Sequence, residues 1–401
     1  MRITSFLFVL TIFFSLAACV KAPTVIPVTV YDCENTLENT HPKSDLFEAF
    51  IKNRVVDGLP GMTMLIDSPE GFWAGAAGYA DIPNQIPMQA CHISRIGSVT
   101  KTFTATLILQ LMEEEQLQLD DVISQYLSPD LANKITNSDK ITIQQLLDHT
   151  SGLADFFDNI QYSLDYFNNP NRPIPAMEEL RYIFNQPAKF EPGMQRKYTN
   201  INFVLLGIIA ENITGKTGAT LYQERIFQPL GMTNTFFKQD TNIPKAVVRG
   251  YSDEEGNKVL IDRTEMAFAH TSMAGGIVSN VLDLKKYMQA VVTQGGGLLN
   301  STIVAELNVV QPTPEKDATQ STKDYSFKNA GVGLGWFNLK GNTPDRNAVG
   351  HGGSMRGYQA FIAYFPATQT TLCYLINGND GQLDYLEDKM RGYELMGLLF
   401  E

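Results

Sequence analysis

The chain is short of positive charge, of cysteine and of long apolar runs, and each shortage removes a class of function. Lys and Arg number 31 against 43 Asp and Glu, a net charge of −12 with no basic cluster. Such a surface has no electrostatic footprint for a phosphate backbone, so no nucleic acid partner is expected. Beyond Leu16 no apolar stretch approaches the roughly 20 residues that a membrane-spanning helix needs, and the body is expected to be soluble. The 4 Cys and 5 His show no zinc-ligand spacing, so no metal or other cofactor is expected. There is no internal repeat either, which argues against a solenoid. What is present is 401 residues with 44% hydrophobic content, enough to bury one large domain or two interleaved ones. Net acidity does not decide the substrate, because one well-placed Arg can bind a carboxylate inside an acidic protein.

The start of the chain reads as an address. Arg2 precedes an apolar stretch, Phe6 to Leu16, too short to cross a bilayer, as in an export signal. It ends in Leu16-Ala17-Ala18-Cys19, which resembles the bacterial lipobox, so residues 1–18 are expected to be removed and Cys19 acylated. An ordinary signal peptide with a chance cysteine is the alternative. Residues 19–43 then form a tether, holding a soluble domain by a lipid anchor on the periplasmic face of a membrane, the outer one by expectation. An oxidising compartment permits a disulfide, and Cys33 with Cys91 is the expected pair. Cys373 falls in an apolar run, Thr371 to Ile376, and reads as an inert buried thiol.

Apolar spacing predicts a helix from Asp45 to Asp57, then two strands, Met62 to Asp67 and Phe72 to Tyr79, joined by a turn at Ser68-Pro69-Glu70-Gly71. Thr102 to Glu114 is apolar nearly all round and predicts a central buried helix. Leu119 to Met232 is dominated by helical pattern. Leu282 to Val292 is helical again, and strand-like runs follow at Val332 to Leu339, Ala360 to Phe365 and Thr371 to Ile376. The stretch from Gln311 to Asn329 has no periodicity and reads as a surface loop. The late strands are expected to pair with the early hairpin.

Three clusters carry chemistry. Ser98-Val99-Thr100-Lys101 at a helix start puts a hydroxyl and an amine one turn apart on one face. Serine needs an adjacent base, and lysine serves when burial lowers its pKa from about 10.4. Tyr198-Thr199-Asn200, at a loop-to-helix junction, offers a phenol to relay protons and an amide to bind a substrate carbonyl. Tyr166-Phe167-Asn168 repeats the spacing but reads as a polar loop before Pro170, and Tyr198 is preferred. Gly350-His351-Gly352-Gly353-Ser354 lets backbone come close to a ligand, Gly353 included, and its strand edge can pair with a peptide-like substrate.

In this order the three clusters resemble the motifs of the class C β-lactamase, D-alanyl-D-alanine carboxypeptidase and family VIII carboxylesterase superfamily. The likeness extends through Leu146-Leu147-Asp148-His149-Thr150-Ser151-Gly152-Leu153, Pro229-Leu230-Gly231-Met232 and Ala274-Gly275-Gly276, and covers about residues 45 to 380. It implies an α/β fold of the β-lactamase/transpeptidase kind, an antiparallel sheet flanked by helices with a mostly helical lobe inserted. The domain would span 44–400, with the α/β lobe from about 44–100 and 250–400 and the helical lobe from about 101–249. The resemblance further implies that Ser98 attacks a carbonyl, that the backbone N–H groups of Ser98 and Ser354 hold the oxyanion, and that Lys101 and Tyr198 share the proton. It assigns His149 to a structural turn.

Gly352 stands where relatives often carry Thr or Ser to grip a substrate carboxylate. Ser354 or Arg356 can replace that hydroxyl, or Arg356 simply lies on the surface. The leading expectation is a D-alanyl-D-alanine carboxypeptidase-like, penicillin-recognising hydrolase acting on peptidoglycan stem peptides. A carboxylesterase on acyl esters and a β-lactamase acting on β-lactams are the alternatives. A non-catalytic envelope-binding protein is a third.

Overall fold

The computed structural model describes residues 37–401 except 170–171, 238–246, 266–271, 294, 308–327, 341–342, 382, 385 and 387–393. The expected leader, Cys19, Cys33 and the tether up to residue 36 lie outside the described residues. So does the expected loop from Gln311 up to residue 327.

Eight strands form one antiparallel sheet. From one edge they run Ile86–Pro87, Gly71–Asp81, Gly61–Ser68, Thr370–Ile376, Tyr358–Phe365, Ala348–Met355, Trp336–Lys340 and Lys328–Gly333. The early hairpin joins the late strands where Leu65 pairs with Cys373, so both ends of the chain build one sheet. Two expectations need correction. The run Val332 to Leu339 is not one strand: Leu334 and Gly335 both have positive φ, 51° and 83°, and turn the chain between Gly333 and its partner Trp336. Left-handed backbone at both central residues is what a tight two-residue hairpin turn requires, and Gly335 supplies it without strain. Lys328 and Asn329, read as the end of a loop, open the edge strand instead.

Strand side chains alternate between faces, and here both faces are covered. Met62, Met64 and Ile66 pack with Phe47 and Ile51 of the helix Ser44–Asp57 and with Leu395 and Met396 of the helix Leu395–Phe400. Leu65, Ile362, Cys373 and Leu375 face the other way, into the larger core shared with the helices Thr100–Glu113, Asn200–Thr214 and Val281–Val292. Burying one Leu- or Ile-sized side chain contributes about 1.5–3 kcal/mol, so these two layers supply most of the driving force.

The helix Thr100–Glu113 runs through that larger core, and its four N-terminal threonines are all buried. Each has a partner: Thr100 accepts from the Ile277 amide at 3.1 Å, Thr102 donates to the Val99 carbonyl at 2.8 Å, Thr104 meets Tyr222 at 2.6 Å and Thr106 meets Tyr287 at 2.9 Å. A buried hydroxyl without a partner costs about 1–3 kcal/mol, so this satisfied row lets a polar helix start sit in apolar surroundings. The start of the helix is thereby fixed.

Candidate active site

Ser98 sits in a single 3-10 turn, Gly97–Val99, that runs directly into that helix. Gly97 has φ +48°, and a Cβ there would lie 3.1 Å from the Ser354 nitrogen, so the turn presses against the strand Ala348–Met355. Ser98 itself is half-buried and faces the cleft.

Lys101, one turn on, is 0% exposed. Its Nζ donates to Ser98 Oγ at 3.0 Å, to Asn200 Oδ1 at 2.8 Å and to the Ala274 carbonyl at 2.8 Å. Three acceptors match the three protons of an ammonium. Remove one proton and two donors still hold Asn200 and Ala274, leaving the lone pair for the Ser98 hydroxyl. Burial pulls this amine down from 10.5 to about 7, against the charges of Asp155 and Glu179, which raise it. Both protonation states are therefore accessible near neutral pH.

Tyr198, just ahead of the helix Asn200–Thr214, donates to Ser98 Oγ at 2.9 Å. Burial pushes its phenol above the ordinary tyrosine range, with the Ser98 bond acting the other way, so it is a neutral donor and not a phenolate. Its ring lies 4.4 Å from His149, centroid to centroid, and 6.2 Å from Phe337. His149 is buried, has φ +61°, and accepts from the Thr199 amide at 3.3 Å through Nδ1. Burial first, then the charge of Lys101, hold it well below the usual histidine range. Its place is behind the Tyr198 ring, as a prop.

Asn200 Oδ1 is taken by Lys101, and its Nδ2 donates to Asp155 Oδ2 at 3.2 Å. Asn200 thus orients the base. Asp155 went unnoticed in the sequence, although it follows the Ser151-Gly152-Leu153 stretch closely. It caps the turn Phe156–Asp158 and also accepts from Thr199 Oγ1 at 3.0 Å and the Asn200 amide at 2.6 Å.

The strand Ala348–Met355 forms the far wall. Trp336–Lys340 pairs with it only at Ala348, Val349 and Gly350, which leaves the edge from His351 onward facing the Ser98 turn. A Cβ on Gly353 would come within 2.0 Å of the Ile96 carbonyl and 3.1 Å of the Ser98 nitrogen. This approach, with that of Gly97 to the Ser354 nitrogen, packs the Ser98 turn directly against the backbone of the strand. His351 is buried against Phe337, 4.5 Å between rings, with Nδ1 2.5 Å from the Gly352 carbonyl. Burial and then the charge of Lys101 lower it to about 3, so it is a neutral imidazole.

Ser354 is exposed, and its Oγ accepts from Asn379 Nδ2 at 3.4 Å. Arg356 is not a free surface group: it pairs with Glu254, and its guanidinium lies 5.0 Å from the Phe167 ring centroid. Tyr166 and Phe167 belong to the helix Ile160–Asn168 and line the cleft, contrary to the reading of this stretch as a polar loop. Their capping residue, Asn159, bonds the Gln161 amide at 2.9 Å and lets the helix begin there. Cys91 is in a disulfide, while Cys373 is free and buried, its thiol pushed upward by burial.

An antiparallel sheet flanked by helices, with a serine met by an amine and a phenol, defines a serine hydrolase of the β-lactamase and penicillin-binding-protein fold. The chain belongs to the family described as Beta-lactamase, whose profile matches residues 47–394. Protein flp of Staphylococcus aureus (strain MRSA252) is 25% identical over 342 residues, 85% of this chain; the chain spans 64% of that protein's length. The D-alanyl-D-alanine-carboxypeptidase/endopeptidase AmpH of Escherichia coli K12 is 24% identical, with 89% of this chain and 94% of that protein covered. Among solved structures, the D-amino acid amidase of Ochrobactrum anthropi SV3 superposes with TM-score 0.73 at 24% identity, over 89% of this chain and 100% of that one. The octameric penicillin-binding protein homologue of Pyrococcus abyssi does so with TM-score 0.72 at 25% identity, over 88% and 77%.

Proposed function

We propose that the protein hydrolyses a peptide-like amide through an acyl-enzyme on Ser98, in the manner of a D-alanyl-D-alanine carboxypeptidase acting on peptidoglycan-type stem peptides. The observation that carries this is the placement of Ser98 Oγ 3.0 Å from Lys101 Nζ and 2.9 Å from the Tyr198 hydroxyl. Neutral Lys101 takes the Ser98 proton while Oγ bonds to the substrate carbonyl carbon. The Ser98 and Ser354 N–H groups hold the developing oxyanion. As the C–N bond breaks, the phenol of Tyr198 gives its proton to the leaving amine, and the proton held by Lys101 replaces it. Water then attacks the ester and releases the acid and Ser98.

The free edge of Ala348–Met355 from His351 onward supports a peptide-like substrate, which can add there as a further strand. The resemblance to AmpH, a D-alanyl-D-alanine-carboxypeptidase/endopeptidase, supports the same substrate class. Export of the domain and acylation of Cys19 belong to this proposal, on the strength of Leu16-Ala17-Ala18-Cys19. The test is D-Ala release from a D-Ala-D-Ala peptide together with acylation of Ser98 by a labelled penicillin. Neither occurring would overturn the carboxypeptidase reading.

A second reading, a carboxylesterase, is favoured by the residues that stand where a substrate carboxylate would be gripped. Gly352 has no hydroxyl, His351 is neutral and Arg356 is paired with Glu254. Rapid cleavage of nitrophenyl esters without penicillin labelling would select it.

A further inference from the structure

The helix Ile160–Asn168 turns an apolar ridge to solvent. Ile160, Leu164 and Phe167 are 74%, 49% and 56% exposed, and Phe157, in the turn just ahead, is 60% exposed. At about 100° per residue the three helix positions fall within one narrow arc. Gln161, Asp165 and Asn168 take the arc beside it, while Tyr162 and Tyr166 are buried and form, with Phe156, the aromatic wall of the cleft. The helix therefore has two apolar faces, one turned into the fold and one turned out. Substrate binding does not account for the outer one, because Ile160 and Leu164 are not among the described residues that line the cleft. A contiguous exposed apolar surface of this kind marks an interaction site.

Size and charge narrow the occupant. At about 200 Å² for a large side chain, the four residues together expose roughly 450 Å². A stable protein interface buries about 800 Å² on each partner, so the ridge is too small to hold a second copy of the chain. A bilayer asks for less: an interfacial helix sinks its apolar side chains about 5–10 Å into the headgroup boundary. A lipid tether then supplies the local concentration, and weak contact suffices. Even pinned at Cys33 by the expected disulfide to Cys91, the chain back to Cys19 reaches about 50 Å, the diameter of a domain this size. Any face can thus be set on the membrane. The carboxylates beside the ridge are neutralised by cations. Asp158 is shared by Lys189 and Lys197 at 3.0 and 3.3 Å, Glu178 is held by Arg172 at 2.6 Å, and Glu254 is shared by Arg263 and Arg356. Asp165 accepts from Tyr182 and Gln161 at 2.8 Å each. The net charge of −12 is therefore not concentrated here, and the surface that fits is a bilayer without strong charge.

Resting on the lipid anchor at Cys19 proposed above, we infer that Phe157, Ile160, Leu164 and Phe167 dock the domain on the surface of a phospholipid bilayer. Phe157 and Phe167 also line the cleft, so the cleft opens beside the docked ridge and Ser98 works close to the membrane surface.

The test mixes the full chain with phosphatidylcholine vesicles and reads tryptophan emission with and without bromine on the acyl chains. Trp73 and Trp336 are buried and give a constant background. Ile160→Trp and Leu164→Trp, at positions open enough that the new ring displaces little core, should each lose at least about half of their added emission to the brominated lipid. The loss should persist at about 1 M salt, where charges are screened beyond about 3 Å. Val56→Trp should lose none; Val56 is 85% exposed on the helix Ser44–Asp57, which packs on the opposite face of the sheet. No quenching at either ridge position, or equal quenching at all three, would overturn the docking assignment. A blue shift of the ridge tryptophans that grows with protein concentration in the absence of lipid would also overturn it, in favour of a second copy. Intact mass of the same sample reads residue 19 separately: an unmodified Cys19 sinks the anchor, while the quenching still decides the ridge.

Discussion

Lys101 Nζ lies 3.0 Å from Ser98 Oγ and is held in place from two other directions, by Asn200 and the Ala274 carbonyl. An amine so held cannot rotate away when it loses a proton, and its lone pair then falls on the one hydroxyl within reach. Burial near the core of the fold supplies the low pKa, so base and nucleophile are prepared by the same packing.

The pH dependence of kcat/KM follows. Only the neutral amine accepts the Ser98 proton, and burial lowers Lys101 to about 7. Activity should therefore rise with pH through an apparent pKa near that value. Lys101→Arg, which stays protonated throughout, should lose at least about a thousandfold at every pH. A profile flat from pH 5 to 9 would contradict the assignment of the base.

Tyr198→Phe removes the hydroxyl 2.9 Å from Ser98 Oγ and leaves the ring against His149. General acid catalysis contributes about a hundredfold to ten-thousandfold, and kcat should fall within that range. The loss should be larger for an amide than for a nitrophenyl ester, whose leaving group departs without a proton. Circular dichroism and the melting temperature should stay close to those of the parent protein.

Asp155→Asn tests a residue that never needs to touch substrate. Asp155 orients Asn200 and Thr199, and its charge raises Lys101. Without that charge Lys101 should titrate lower, moving the rising limb of kcat/KM to more acid pH. Loosening of Asn200 should cost about tenfold to a hundredfold in kcat at the plateau. A loss of rate with no movement of the limb would reduce Asp155 to a purely structural role.

Gly353→Ala forces a methyl group to within 2.0 Å of the Ile96 carbonyl. Backbone cannot yield there without parting the Ser98 turn from the strand, and the two N–H groups should separate. Removing one oxyanion donor costs about a hundredfold to a thousandfold, so kcat should drop by at least that much. Thermal denaturation should show a loss of about 1–3 kcal/mol from overpacking.

Much of this was legible in the sequence for a physical reason. Ser98 and Lys101 are fixed by the pitch of one helix, and Tyr198 announces itself by standing just ahead of the apolar run that becomes Asn200–Thr214. Local periodicity does not reach across the fold, however. The pairing of Arg356 with Glu254 spans about a hundred residues and has no local signature. The aromatic wall was hidden because Asn168 and Asn169 made its helix look like a loop, although Tyr162 and Tyr166 stand one turn apart. Asp155 looked like any loop carboxylate until Asn200 was placed beside it. Val332 to Leu339 read as one strand because a turn of Leu334 and Gly335 interrupts the apolar pattern too briefly to register.

The central claim is that Ser98 becomes covalently acylated with Lys101 as its base. Intact mass spectrometry and peptide mapping after incubation with a penicillin and with an activated phenylacetyl ester measure this directly. The account predicts a single adduct on Ser98 from at least one of the two reagents, absent in Ser98→Ala and formed at least about a hundredfold more slowly in Lys101→Arg. An adduct on any other residue, or one that forms on Ser98 equally fast without Lys101, would contradict it.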